Sequence, residues 1–280
     1  MRVGLLPTEG NSTYRFTVLL LATIGILISS LPVIVVTIMS FSASDNTGFP
    51  PPDLSLRWYW DVIAMFTQED ANSAQSVVDS TVTSLLVAFI VMIISTIVCI
   101  PLAYALARGD RRIRDGMELL FTLPLVFPLV ILGIAFLLIA ESLRMDIGIW
   151  RIVIPHVALV LPFVLRNCIG AMNGISVETE EAAISLGASP LRAIWDVVIP
   201  LMRAGILAGL IFALIISFNE FTITFFMYTI DVSTLPIWMY SRTVSSLDPS
   251  TLALSVFIIV ADVVLIVLVD KLIAGRANLF

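Results

Sequence analysis

The chain has little charge and few side chains of the kind that enzymes use. Charged residues make up 13% of its 280 residues, against about 25% in soluble domains, and His156 is the single histidine. Scattered acids and one histidine form no metal set and no nucleophile with a base, and Cys99 and Cys168 lack metal-ligand spacing. The phosphate-binding sequence G-x-x-x-x-G-K-[ST] is also absent. We therefore expect no catalytic residue, no metal or other cofactor bound by this chain, and no nucleic-acid partner.

The sequence is rich in long apolar runs. Hydrophobic residues make up 59% of the chain and the mean hydropathy is +1.05, which identifies an integral membrane protein. A spanning helix needs about 20 apolar residues, so we predict an all-α polytopic membrane protein with about six transmembrane helices. The predicted spans are approximately 16–39, 78–107, 117–140, 149–172, 201–227 and 250–272, with Pro124 and Pro128 breaking the first half of the third.

The first apolar run could be a cleaved signal peptide or a retained helix. Small residues at 42–44 would suit cleavage, but the run exceeds the roughly 7 to 15 residues of a signal-peptide core. We expect it to remain as the first span. The polar segment that follows, about 40–77, carries Trp58, Tyr59 and Trp60 beside a span, as in the aromatic belt of membrane interfaces, and is predicted to form an outer loop with a short interfacial helix.

The distribution of cations predicts the orientation, because cytoplasmic loops carry an excess of Lys and Arg. With both termini in the cytoplasm, the inner side holds Arg2, Arg15, Arg108, Arg111, Arg112, Arg114, Arg166, Arg192, Arg203, Lys271 and Arg276. The outer side holds only Arg57, Arg144, Arg151 and Arg242. We therefore predict a multi-pass protein of the bacterial cytoplasmic (inner) membrane with both termini inside.

Residues 178–200 form a charged excursion between two apolar runs. Acidic residues at its start favour the positive end of a helix dipole, and Gly187 permits that helix to stop. Ser189 and Pro190 are a typical cap and first residue of a second helix, which Pro200 is predicted to end. The expected structure is helix, glycine turn, helix, outside the bilayer.

This excursion resembles the EAA loop of ABC importer permeases. The resemblance is carried by Glu181-Ala182-Ala183, three residues, Gly187, nine residues, and then the apolar residues 197–199 before Pro200. It implies a type I ABC importer permease-like fold, with residues 1–280 as one transmembrane domain and a coupling loop at about 173–200. The residues implied to couple to a cytoplasmic ATPase are Glu181, Ala182, Ala183, Leu186, Gly187, Ala188 and Pro200. The alternative is an amphipathic loop that merely connects two spans.

The same resemblance implies partners. ATP and Mg would be bound by two separate ATP-binding subunits, and an extracytoplasmic substrate-binding protein would deliver the solute. A second permease subunit, expected to be a different chain, would complete the path through the lipid bilayer.

Small residues run along one face of the fifth predicted span. Gly205, Gly209, Ala213 and Ser217 recur at helical spacing, and such residues allow helices to approach closely. If the helix continues, Glu220 falls within this stripe and Asn219 close to it. An acid at that depth either faces a water-filled path or makes a structural hydrogen bond between helices.

The stretch 217–226, followed by Thr234-Leu235-Pro236 and Leu247-Asp248-Pro249, resembles spermidine/putrescine-type permeases, many of which have two acids where this chain has Asn219-Glu220. A polyamine needs anionic partners and aromatic faces. We therefore predict a substrate path formed by Asn219, Glu220, Phe221, Phe225 and Trp238. Asp262 is added to it because an ionisable side chain near the middle of a span is a candidate functional residue. Asp262 could instead form an ion pair or be protonated. Related importers carry opines, amino-acid derivatives, organic anions, iron or thiamine, so these substrates remain alternatives to a polyamine.

Two other functional classes fit the sequence less well. A membrane-embedded enzyme would need a catalytic constellation that the sequence lacks. An ion channel would need a selectivity filter and would leave the EAA loop unexplained. We accordingly expect a transport subunit rather than an enzyme.

Overall fold

A computed structural model describes residues 12–45, 48–67, 76–144, 147–245 and 248–277. Within these ranges the chain is helical, apart from loops and one isolated antiparallel bridge between Ser42 and Leu54, so the all-α prediction is confirmed. The helices are α1 Ser12–Ser40, α2 Arg57–Thr67, α3 Val77–Arg108, α4 Arg111–Val126, α5 Leu129–Ser142, α6 Trp150–Asn173, α7 Val177–Ser185, α8 Pro190–Ala193, α9 Ile199–Phe218, α10 Thr224–Met227, α11 Leu235–Ser245 and α12 Pro249–Ala277. A π-helical turn, Ile194–Val198, joins α8 to α9.

Among the described residues, five helical stretches are long and apolar enough to cross a membrane, and the bent pair α4 and α5 would make six. The five are Tyr14–Ser40, Val77–Arg108, Trp150–Asn173, Pro190–Phe218 and Pro249–Leu268. They match the first, second, fourth, fifth and sixth predicted spans to within a few residues, except at both ends of the fifth.

The third predicted span is not one straight helix. The axes of α4 and α5 differ by 98°, and the break lies at Phe127 and Pro128. A residue before proline is disfavoured in the helical region, and Phe127 has extended backbone, with φ −81° and ψ 140°. Pro124, which was also expected to break the span, lies inside α4.

The described residues group into two compact units, which are considered separately. The first contains residues 1–64 and 246–259. In it the Trp58 indole N–H donates to the Ser42 carbonyl at 2.7 Å, and the hydroxyls of Ser40 and Tyr59 are 2.7 Å apart. The expected short helix after the first span is therefore present as α2, and its aromatic residues anchor it to the end of α1.

The second unit, residues 65–245 and 260–280, has its core where α3, α6 and α9 pack together. Val91, Cys99, Val160, Cys168 and Met202 are among its fully buried side chains. The predicted stripe on α9 faces protein. A Cβ at Gly205 would lie 2.5 Å from the Cβ of Ala171 and 2.6 Å from the Asn167 carbonyl oxygen, both on α6.

The excursion between the fourth and fifth spans has the predicted helix, glycine turn, helix order. Gly187 has φ +100°, a conformation that favours glycine, and the Ser189 hydroxyl accepts the Arg192 N–H at the start of α8. The expected helix end at Pro200 is wrong. The N–H of Ile199 bonds to the carbonyl of Ile194, five residues back, so the π turn carries the helix past a proline that has no N–H to donate.

Candidate functional site

The coupling segment, defined here as residues 176–200, contains all the residues predicted to contact an ATPase. Glu181, Ala182 and Ala183 lie in α7, and Leu186, Gly187 and Ala188 form the turn after it. The turn is closed by the N–H of Ala188, which donates to the Ala183 carbonyl at 3.1 Å. Pro200 is separated from them by α8 and the π turn and lies at the start of α9. The predicted residues therefore form one local group plus a proline in the following helix.

The coupling segment exposes large apolar side chains. Leu186 is 90% exposed, and Ile184, Leu191 and Trp195 are 40%, 67% and 63% exposed. The pKa of the Glu178 carboxyl lies below its ordinary value, because its own backbone N–H and the Ser176 hydroxyl stabilise the charged form. Exposed apolar groups beside charged ones are typical of a surface that a protein partner covers.

A buried acid fixes the coupling segment to α3. The Arg108 Nε–H donates to Glu180 Oε2 at 3.3 Å, the Tyr104 hydroxyl donates to Glu180 Oε1, and Arg108 Nη2 donates to the Ile175 carbonyl at 3.1 Å. Sequence reasoning counted Arg108 only as a cytoplasmic cation and did not single out Tyr104. Their spacing of four residues at the end of a helix, which places them on one face, was the available signal.

A cavity of about 480 Å³ lies beside the break between α4 and α5. Its wall is apolar, formed by Leu125, Phe127, Leu129, Leu159, Phe163 and Ile216. Its polar part is formed by Asn219, Glu220 and Thr222, with Phe221 between them. Three of the six predicted substrate-path residues thus line one cavity, and the break in the third span supplies side chains that sequence reasoning did not connect with the path.

The fifth span ends earlier than predicted. Helix α9 ends at Phe218 with Asn219 as its C-cap, so Glu220 is not part of the helical stripe. Its carboxylate instead accepts the N–H groups of Ile223, at 2.9 Å, and Thr224, at 3.0 Å. Acidic side chains are favoured where a helix begins, and here the acid takes the backbone donors that would have continued α9 and starts α10.

His156 is fully buried and bonded through both ring nitrogens, as expected of a satisfied polar group. Its Nδ1 lies 2.9 Å from the Ser217 hydroxyl, and its Nε2 lies 2.7 Å from the Thr224 hydroxyl and 3.5 Å from Glu220 Oε2. Its connection to Glu220 was missed in the sequence. The polar residues 217, 220 and 224, spaced by three and four, were the signal that one partner would face all of them.

Asp262 on α12 has an amide as its partner. Asn219 Nδ2 donates to Asp262 Oδ2 at 2.9 Å and to the Ile215 carbonyl at 3.0 Å. The ion pair with arginine that the sequence left open is not found among the described residues. Asn219 and Asp262 therefore form a polar pair at the exposed end of α9.

Aromatic residues form a cluster next to Asn219 and Glu220 in the chain. The rings of Phe221, Phe225 and Tyr240 have centroids 5.1 to 5.6 Å apart. Trp238 was expected in this group but pairs with the Arg242 guanidinium, 5.4 Å from its ring. Tyr240, which sequence reasoning did not select, takes the place expected for Trp238.

Among the residues that the structure describes, no group of three or more His, Cys, Asp or Glu side chains could hold a metal ion. The candidate functional features are the cavity, the Asn219–Asp262 pair and the coupling segment.

Comparison with known proteins identifies relatives. Residues 99–276 match the model of the family described as binding-protein-dependent transport system inner membrane component. The spermidine/putrescine transport system permease protein PotC of Haemophilus influenzae is 24% identical over 248 residues, covering 89% of this chain and 92% of that protein. The putrescine transport system permease protein PotI of Escherichia coli K12 is 27% identical over 256 residues, covering 89% and 86%.

A solved structure matches the fold. It is the crystal structure of a bacterial ABC transporter involved in the import of the acidic polysaccharide alginate, and one of its chains aligns with a TM-score of 0.61 at 19% identity. The alignment covers 96% of this chain and 99% of that one. The expected ABC importer permease fold is confirmed.

Proposed function

The chain belongs to the family of binding-protein-dependent transport system inner membrane components, and on that basis we propose that it forms half of the translocation path of an ATP-driven importer of polyamines. Membership makes it a multi-pass transport permease subunit of the inner membrane. The substrate, the coupling residues, the partner subunits and the orientation are parts of the proposal.

The observation that carries the substrate class is the polar part of the cavity. Asn219 lines this part and donates to an acid, Asp262, and the buried carboxylate of Glu220 adds a second negative charge beside the cavity. Phe221 lies in the same wall and packs with Phe225 and Tyr240. Acids beside aromatic faces suit an elongated organic cation, and two relatives are named as spermidine/putrescine and putrescine permeases.

The coupling segment is proposed to contact a cytoplasmic ATPase. Its exposed side chains Ile184, Leu186, Leu191 and Trp195 would be covered by that subunit. Movement of the segment would reach the core by two helices. One is α9, which continues directly from the segment. The other is α3, whose Arg108 and Tyr104 contact Glu180 of the segment. Both helices pack on α6, which contributes Leu159 and Phe163 to the cavity wall.

The proposed assembly contains two ATP-binding subunits, which hold ATP and Mg, and a second permease subunit of a different chain. An extracytoplasmic binding protein delivers the substrate, and both termini of this chain are in the cytoplasm. Residues 1–280 are proposed to act as one transmembrane domain in the lipid bilayer.

The test is ATP hydrolysis by the purified complex in lipid, with its binding protein, measured with polyamines, opines, amino-acid derivatives, organic anions, iron and thiamine. We expect spermidine or putrescine to stimulate hydrolysis and to be taken up in an ATP-dependent manner. Stimulation only by a neutral or anionic solute would overturn the polyamine assignment and leave the importer assignment intact. Uptake that proceeds without ATP would overturn both.

A further inference from the structure

Four side chains form a buried network beside the cavity. His156 on α6 contacts the hydroxyl of Ser217, near the end of α9, and the hydroxyl of Thr224, at the start of α10. The Thr224 hydroxyl is also 3.0 Å from Glu220 Oε2. All four residues are buried, and the most exposed of them, Glu220, is 6% exposed. The network therefore joins α6, α9 and α10 through side chains that are shielded from bulk solvent.

The hydrogen bonds have a consistent direction. When the Thr224 hydroxyl donates to the Glu220 carboxylate, its lone pairs accept the Nε2–H of His156. In the neutral imidazole Nδ1 is then an acceptor and receives the Ser217 hydroxyl. Every N–H and O–H donor of these side chains has an acceptor in this arrangement, which favours a single conformation.

The network acts on the cavity through the short loop between α9 and α10. Helix α9 ends at Phe218 and α10 begins at Thr224, so residues 219–223 lack the regular backbone hydrogen bonds of a helix. Asn219, Phe221 and Thr222 from this loop line the cavity. The loop is fixed at its start by Ser217 and at its end by Thr224, both of which are bonded to His156.

Glu220 is among the residues that line the same cavity, but its carboxylate is directed towards the backbone N–H groups of Ile223 and Thr224. The side chain is 4% exposed, and its oxygens already accept the N–H groups of Ile223 and Thr224 and the Thr224 hydroxyl. It has little capacity left to contact a substrate directly. Its charge still contributes to the field in the cavity.

We propose that His156 and Glu220 are positioning residues for transport, because their buried network holds the loop 219–223 in the one conformation that presents Asn219, Phe221 and Thr222 to the substrate. This inference rests on the proposed function for its effect on transport. Its structural part, the order of the loop, is measurable without a substrate.

The structure supplies a matched control. Thr224 and Thr234 are both buried threonines, but within the described part of the chain the Thr234 hydroxyl has no hydrogen-bond partner. Replacing each by valine keeps the shape and removes the hydroxyl. Thr224→Val therefore breaks the network, Thr224→Ser keeps its hydroxyl, and Thr234→Val removes a buried hydroxyl that lies outside the network.

The first measurement is hydrogen exchange of the full chain in lipid nanodiscs, followed in the peptide that contains Ile223 and Thr224. Because two network bonds are lost, we expect exchange of these amides in Thr224→Val to be faster by roughly tenfold or more. Thr224→Ser and Thr234→Val should exchange like the parent. Equal exchange in Thr224→Val and the parent would overturn the proposal.

The second measurement is ATP-driven uptake by the complete complex. A misplaced cavity wall should raise the KM for the cation roughly fivefold or more in Thr224→Val and His156→Asn, with near-parent values in Thr224→Ser and Thr234→Val. Faster exchange with an unchanged KM would overturn the positioning role. If the parent complex transports none of the solutes tested, the proposed function fails, and the exchange comparison alone decides whether the network orders the loop.

Discussion

Arg108, the last residue of α3, donates a hydrogen bond to Glu180, in the first turn of α7, across 3.3 Å. Both side chains are mostly buried, at 19% and 11% exposed. The ion pair crosses from the end of a long apolar helix to α7, whose other residues are mostly exposed, so it fixes the coupling segment relative to the core.

Glu180→Gln should separate the coupling segment from α3. The substitution keeps a hydrogen-bond acceptor for Tyr104 but removes the charge opposite Arg108, which should destabilise the chain by about 2 kcal/mol. We expect the thermal midpoint of the complex to fall by a few degrees and ATP-driven uptake to fall more than basal hydrolysis. Glu178→Gln is the control, because Glu178 is exposed in the same helix. Equal uptake by the two variants would contradict the prediction.

Leu186→Ser should weaken the association with the ATP-binding subunits. Leu186 is 90% exposed, so the change costs little stability in the chain alone, whereas a leucine covered by a partner contributes about 1.5 to 3 kcal/mol. Co-purification of the ATPase in detergent measures this loss. Leu143→Ser provides the comparison, since Leu143 is 65% exposed but lies in the loop predicted to be outside. If both variants retain the ATPase equally well, Leu186 is not at the interface.

Gly205→Ala should destabilise the packing of α9 on α6 by about 1 to 3 kcal/mol. The added Cβ would meet the Asn167 carbonyl oxygen at 2.6 Å, and backbone cannot move aside as a side chain can. Gly170→Ala is the control, because apart from the adjoining backbone of α6 no atom lies within 4 Å of the position of its Cβ, and alanine there should stabilise α6 by roughly 0.5 to 1 kcal/mol. Opposite shifts in thermal midpoint are expected, and shifts of the same sign would refute the packing argument.

Asp262→Asn should weaken cation transport without disturbing the fold. The new amide still accepts a hydrogen bond from Asn219, while the negative charge is lost, so we expect the KM for a polyamine to rise about tenfold, equivalent to about 1.4 kcal/mol. Uptake kinetics give this value directly. Asp231→Asn removes an exposed acid and serves as the comparison. A KM that rises equally in both variants would show a general effect of surface charge instead.

Sequence patterns predicted the features that depend on neighbouring residues. Apolar runs located the helices because burial of about 20 residues in lipid is a local property. Gly187 marked the turn because few other residues adopt a positive φ there. The small residues at 205 and 209 indicated the tight face of α9 because helical spacing places them together.

The remaining features depend on contacts between residues distant in the chain. Pro200 does not end its helix, because the π turn before it accommodates a residue that has no N–H to donate. No local sequence pattern distinguishes this outcome from a helix end. Glu220 left the helical stripe because its carboxylate bonded to the backbone N–H groups after it. The partners of Glu180 and His156 lie on other helices, and composition alone does not reveal which side chains packing will bring together.

The helical run from α8 through the π turn to the end of α9 has a mechanical consequence. It covers Pro190–Phe218, 29 residues, and at about 1.5 Å per residue its length is roughly 43 Å. If the run tilts as one rigid rod, a rotation of about 5° about the Pro190 end displaces the Phe218 end by roughly 4 Å. If the helix had ended at Pro200, the chain could bend near the start of α9, and most of the displacement would not reach the Phe218 end.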